Sequence, residues 1–358
     1  MFFGKKRKPW ILILVMFTLI LALVPLFVPP GGSANTDVQE IKNEITKVSP
    51  EYLSDKEEIV EVGVYILSVG NLDTTTGRYY MDFFLNFKCQ TPNCEPGDFD
   101  IMNAANTVDP DDQTSAEDRA NGERYYRIKA ELQANLDLRN FPFDEHSLTI
   151  EIEDKNKDEA EKKFAYVPSE ALTGVDPQVY VSGWNLNPPI KGEVKSHEYR
   201  IYDQSYSRAR FTIDINHQWF SSFMKGLFAA IVIVAVGMLS FLMNPAEAQD
   251  RINLTSGTLA SAIFYHMTLT SSIPPVGYLT YADRFMILQY IFITASLAVA
   301  LALFLLLSAE KRGSNYQKLA VQIHKSTRWA IPGLWIISML ILHYLTIGFG
   351  ALTGTPGP

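Results

Sequence analysis

Hydrophobic positions along this chain follow two different periods. In the first part they alternate: "IVEVGVYILSVGNLDTTTGRYYMDFFLNFKC" holds two runs of period two around "NLDTTTG", a hairpin signal. Further strands are predicted in "RYYRIKAELQANLDL", "HSLTIEIED", "QVYVSGWNL" and "RARFTIDIN", separated by Pro- or Asp-rich turns. Short strands in series without long intervening helices predict an antiparallel sandwich. Ahead of them, Val38, Ile41 and Ile45 in Thr36–Val48 stand at helical spacing and predict a short amphipathic helix.

The later pattern is of long apolar runs. Together with Trp10–Val28 near the start, Leu227–Met243, Phe285–Ser308 and Trp329–Thr346 approach the roughly 20 residues that cross a hydrocarbon core at about 1.5 Å each. Between the second and third lies "DRINLTSGTLASAIFYHMTLTSSIPPVGYLT" (Asp250–Thr280), rich in Ser, Thr, Asn and Gly. Wound as a helix, it stacks Asn253, Gly257, Ala260, Phe264, Met267 and Ser271 on one stripe, with Asp250 just before its inner end. A polar stripe facing lipid is costly. Two uses remove that cost: tight packing of small residues between membrane helices, or several copies lining a water-filled axis. The pattern alone leaves both open.

Charge supports the division. Residues 37–214 carry 35 acidic and 19 basic side chains, a net of −16, whereas the remainder carries 12 basic and four acidic, a net of +8. This excludes a basic nucleic-acid surface and describes an acidic aqueous head on a membrane base. "GKKRK" (Gly4–Lys8) and the connection Ala309–Arg328 are basic, and placing both inside puts the head outside only if the chain crosses once between Met243 and Phe285. The polar stretch is therefore expected to be a span. The first apolar run, followed by "GGSA", reads either as a cleaved secretory signal or as an uncleaved anchor.

Cys89 and Cys94 are the only cysteines, and in an oxidising exterior they are expected to close a small disulfide loop. The acidic run "VDPDDQTSAED" (Val108–Asp118) reads as a solvated loop, with a cation site as the other reading. No HExxH, GxSxG or Gly-rich phosphate loop is present, so neither an enzyme, a cofactor nor a metal is expected.

In its motifs and their order the chain resembles the pentameric ligand-gated ion channels, specifically the prokaryotic members. "LDLRNFPFDEHSL" (Leu136–Leu148) resembles the family's signature loop, Phe141, Pro142, Phe143 and Asp144 matching its F-P-F-D core. Ala134 and Leu148 stand where animal receptors have the cysteines of the signature disulfide. "VGVYILSVGNLDTTTGRYYMDFFL" resembles the first hairpin, and "SSIPPVGYLTYADRFM" the link after the second span.

The resemblance implies a homopentamer in the inner or plasma membrane: a leader or anchor over residues 1–34, an outer β-sandwich over 35–217, and a four-helix transmembrane domain over 218–358. Its helices are expected at about 220–243, 251–273, 284–308 and 329–349, with a short cytoplasmic loop at 309–328. Asp250 would form a charged ring selecting monovalent cations, Asn253, Gly257, Ala260 and Ser271 would line the pore, and Phe264 and Met267 would gate it. Because Ala260 replaces the usual leucine, the closed gate is expected at Phe264.

Coupling is expected among Asp73, Phe141–Asp144, His217, Pro274 and Tyr278. His217 stands where the family has an arginine that commonly pairs with the loop's Asp, so Asp144 is expected to pair with Arg139 or with protonated His217. The first span also lacks the family's usual proline. Tyr199, Tyr202 and Tyr206 on the hairpin Ser196–Arg210 are the candidate site for an external agonist, a small molecule or a proton, and Trp184 is expected in the core. The other reading is a non-conducting receptor of the same fold that signals through a partner protein.

Overall fold

The computed structural model describes residues 43–91, 94, 98–155, 163–310 and 316–348, which form two compact units. The leader and the basic cluster Lys311–Arg312 lie outside these residues. One unit is built of strands and includes Asp144–Gln218; the other is helical and includes the segment Leu138–Phe143 as well as the chain from Trp219 onward.

In the β unit, strands β1 (Glu44–Ile45), β10 (Trp184–Tyr199), β11 (Gln204–His217), β7 (Glu145–Asp154) and β4 (Phe99–Ile101) form one sheet in that order. The other sheet runs β5 (Asp111–Asp112), β6 (Glu123–Gln133), β3 (Arg78–Cys89), β2 (Glu58–Asp73) and β8 (Phe164–Pro168), with β9 (Gly174–Val175) also paired to β2. The alternation read from the sequence is what closes the core. Val60, Val62, Val64 and Ile66 on β2 and Tyr79, Met81, Phe83, Leu85 and Phe87 on β3 are buried, against Leu148, Ile150 and Ile152 on β7 and Phe211, Ile213 and Ile215 on β11. Each such side chain contributes about 1.5–3 kcal/mol by leaving water, so the unit has a core of its own.

Turn chemistry fixes the register of the first hairpin. Asp73 accepts hydrogen bonds from the Thr75 amide and the Thr76 hydroxyl, and Gly77 closes the turn with φ +72°. These two bonds hold the Asp73 carboxyl below its ordinary range.

Three expectations are corrected. The sandwich is not wholly antiparallel, since β1 pairs parallel with β10 and both β8 and β9 pair parallel with β2. The described part of Thr36–Val48 is extended rather than helical: Glu44 and Ile45 pair with Lys191 and Gly192 at the edge of β10, which offers unpaired backbone groups. Ile45 fits there because residue 192 is glycine, whose added Cβ would sit 2.7 Å from the Ile45 side chain. Finally, the first six residues of "QVYVSGWNL" lie outside any extended strand. Strand β10 begins only at Trp184, after Gly183 at φ +84°.

Cys89 and Cys94 are joined as a disulfide. The acidic run is more ordered than a plain solvated loop. It contains β5 and the short helix α2 (Ala116–Ala120), capped by Ser115 and tied by an Arg119–Asp112 ion pair of 2.5 Å. A further short helix, α1 (Pro50–Leu53), precedes β2.

The helical unit contains α3 (Trp219–Gly226), α4 (Phe228–Met238), α5 (Ala248–Thr270), α6 (Tyr281–Glu310) and α7 (Gln317–His343). Helices α6 and α7 are each long and apolar enough to cross a membrane; α3 and α4 would make a third span, bent by 43°. This bend occurs without a proline. Tyr265 on α5 donates its hydroxyl towards the carbonyls of Lys225 (2.9 Å) and Gly226 (3.1 Å), so a side chain satisfies groups that the bend frees. The core of this unit joins Leu227, Ile231, Val234, Phe285, Met286 and Trp335 to Leu138 and Phe141 of the inserted segment.

Candidate functional site

Helix α5 carries the polar stretch, and its two sides differ. Arg251, Thr255, Thr258, Ala262 and Leu269 are buried inside the unit, whereas Asp250, Asn253, Gly257, Ala260, Phe264, Met267 and Ser271 are all exposed. The candidate stripe is thus one continuous open face, with Phe264 at 69% and Met267 at 64% exposure. Small residues are packed on one side and uncovered on the other. Thr258 packs against Gly237 of α4 so closely that an added Cβ there would lie 2.9 Å from its hydroxyl, and around Gly257 nothing would meet a Cβ within 4 Å.

The helix tolerates its polarity because its hydroxyls bond to its own backbone. Thr255, Ser256, Ser261, Thr268 and Thr270 each donate to a carbonyl one turn earlier. Asn253 is different: its side-chain oxygen accepts from Gln249, and both residues are exposed.

Beyond the stripe, His266 ties α5 to the start of α6. With Nε2–H donating to Asp283 (3.0 Å), its Nδ1 accepts the Tyr290 hydroxyl (2.9 Å). Asp283 in turn caps α6 by accepting from the Thr280 amide and hydroxyl. His266 is one residue from the stripe, so periodicity alone gives it no role.

The coupling candidates separate into two groups. In the helical unit, the Tyr281 amide donates to the Arg139 carbonyl (2.8 Å), and the Ala282 amide to the Phe141 carbonyl (3.0 Å). Tyr278 accepts from the Leu138 amide at 3.0 Å and lies under the Arg139 guanidinium. Pro142 seats on Gly226, where a Cβ would come within 2.8 Å of its ring, and Phe143 packs edge-on against Tyr281 and His343. Pro274 is half-buried in the link.

In the β unit, Asp144 and His217 do come close, but Asp144 bonds to another residue. His146 Nε2 donates to Asp144 Oδ2 at 2.5 Å, while His217 Nε2 stands 3.6 Å from Asp144 Oδ1. The expected partner Arg139 is engaged with Tyr278. His146 is the residue that sequence reasoning missed; its signal was the two-residue step from Asp144, which places both on one face at the start of β7. Trp184 is buried as expected, stacked on the His217 ring at 3.6 Å. Burial lowers the affinity of His217 for a proton, the charge of Asp144 opposing and that of His146 adding to this.

On the hairpin, two of the three tyrosines meet. Tyr199 and Tyr206 pack edge-to-face at 5.7 Å, and the Tyr199 hydroxyl joins Glu153 (3.0 Å) and Arg208 (2.9 Å). Tyr202 stands apart at the tip, exposed. Arg208 also bridges to Glu151, which pairs with Arg210 at 2.8 Å. Among the described residues, no group of three or more His, Cys, Asp or Glu side chains is arranged to hold a metal ion.

A β-sandwich-like unit followed by apolar helices fit to span a membrane describes a membrane protein with an extracellular domain. No family model matches the chain. Over 321 residues it is 22% identical to a proton-gated ion channel of Gloeobacter violaceus, covering 84% of this chain and 86% of that one. It is also 22% identical to a gamma-aminobutyric acid receptor subunit beta of Caenorhabditis elegans, and 23% identical to a beta-like subunit of Drosophila melanogaster. Each match spans 175 residues, 48% of this chain but only 30% and 34% of those subunits. Similarity to these channels, over 84% of the chain in the first case, supports a pentameric ligand-gated channel.

Proposed function

We propose that five copies of this chain assemble around one axis, each contributing α5 to a cation-selective pore that an external agonist opens. The observation that carries this reading is the open face of α5: seven residues from Asp250 to Ser271, polar or small at the inner end and apolar at Phe264 and Met267, are uncovered in a single subunit. A membrane helix with such a face gains from water along it, and copies around an axis supply that water. Five Asp250 carboxylates at the inner mouth would concentrate cations there. Phe264 and Met267 form the apolar constriction, which gates by excluding water.

In this reading the four spans are α3 with α4, α5, α6 and α7, and the β unit faces the exterior. The agonist acts there, and Tyr199 and Tyr206 with Arg208 and Glu153 are the candidate small-molecule site. Coupling runs through Asp73, Phe141–Asp144, His217, Pro274 and Tyr278. The test is to reconstitute the purified chain in vesicles and record current while screening pH and amines. Cysteines placed at Asn253 and Gly257 should react with water-borne thiol reagents in a conducting state. If both stay unreactive in every state that carries current, α5 does not line the pore.

A further inference from the structure

At the start of β7 and the end of β11 a buried carboxylate stands between two imidazoles, and only one is bonded to it. Asp144 is 1% exposed and His146 5%. His146 donates to Oδ2. Asp144 Oδ1 and His217 Nε2 are both buried without a hydrogen-bond partner, although they are 3.6 Å apart. His217 also bonds to the backbone of Gly183, and because its Nε2 is unpartnered that bond falls to Nδ1–H. Nε2 therefore turns a lone pair towards a carboxylate oxygen, and two acceptors face each other.

One proton resolves this arrangement. Placed on Nε2, it converts the opposed pair into a charge-assisted hydrogen bond. We propose that Asp144, His146 and His217 form a proton-operated latch, open in the described arrangement and closed by protonation of His217, which draws the end of β11 onto Asp144. The groups acting on His217 are Asp144, just before β7, His146 of β7 and the Gly183 backbone, with Trp184 of β10 stacked on its ring. Strand β11 ends at His217 and α3 begins at Trp219, so closing the latch pulls on the chain that enters the first membrane helix.

The sign follows from linkage. The described arrangement binds the His217 proton more weakly than a free imidazole does, so it is favoured at neutral pH. It loses ground as pH falls below about 6.5 towards the lowered value, and acid shifts the population to the closed latch. That acid thereby promotes conduction rests on the channel reading above; the latch itself does not.

Two readouts separate these claims. The first is tryptophan emission of the full chain, since a protonated imidazole stacked on Trp184 quenches it. Emission should change as pH falls below about 6.5, the value of a free imidazole. This component should vanish in His217→Gln and in Trp184→Phe, and shift in His146→Gln. The second is vesicle ion flux, expected to rise about tenfold or more on acidification in the wild type and to change less than about twofold in His217→Gln. His217→Arg, permanently charged, should hold the latch closed and make flux independent of pH over this range. A wild-type titration that persists unchanged in His217→Gln overturns the latch, as does its absence in the wild type. A normal titration in vesicles that never conduct leaves the latch standing and overturns the channel reading.

Discussion

The core of the β unit and the exposed face of α5 contain the same kinds of side chain in opposite settings. Phe83 is fully buried within its own chain, and Phe264 is mostly open. The first unit completes itself: its alternating positions meet across two sheets, and its turn at Asp73–Gly77 supplies its own hydrogen bonds. Helix α5 satisfies its hydroxyls and buries one side, yet leaves Phe264 and Met267 uncovered. In the proposed channel this uncovered surface is where other copies and water belong.

That contrast can be broken first by truncating the two phenylalanines. Phe83→Ala should destabilise the β unit by about 3–5 kcal/mol, read as a lower denaturation midpoint. Phe264→Ala should leave folding within about 0.5 kcal/mol of wild type while raising basal ion leak. Equal destabilisation by both changes would mean that the stripe is packed rather than open.

Within α4 and α5 the glycines offer a smaller and sharper version. Gly237→Val must displace Thr258 and should cost about 1–3 kcal/mol. Asp250→Asn acts on neither core. It should reduce cation preference in reversal-potential measurements, by roughly tenfold if the five carboxylates act as one ring, equivalent to about 1.4 kcal/mol; unchanged selectivity would remove the ring from the proposal. Smallest is Gly257→Ala, which meets nothing within 4 Å and should stabilise α5 by up to about 1 kcal/mol in thermal unfolding. Loss of stability there would show a neighbour seated against that face.

The hairpin at Asp73, the later strands and the apolar helices were legible because each depends on local period and turn residues. The order of strands within each sheet was not, nor was the parallel pairing of β1, β8 and β9, since these depend on which edges lie unpaired after collapse. The stripe on α5 could be drawn from spacing, but not whether it or the opposite side would be packed. Gly237 of α4 meets Thr258, off the stripe, and nothing meets Gly257 on it.

The sequence by itself determined that an acidic, strand-rich head precedes apolar helices, and that one of those helices has a polar stripe, because charge and periodicity are properties of neighbouring residues. Only the tertiary structure decided that Asp144 bonds to His146 rather than to Arg139, and that His217 stacks on Trp184. Those contacts join β7, β10 and β11, and the bonding of a buried carboxylate depends on which donors folding brings within reach.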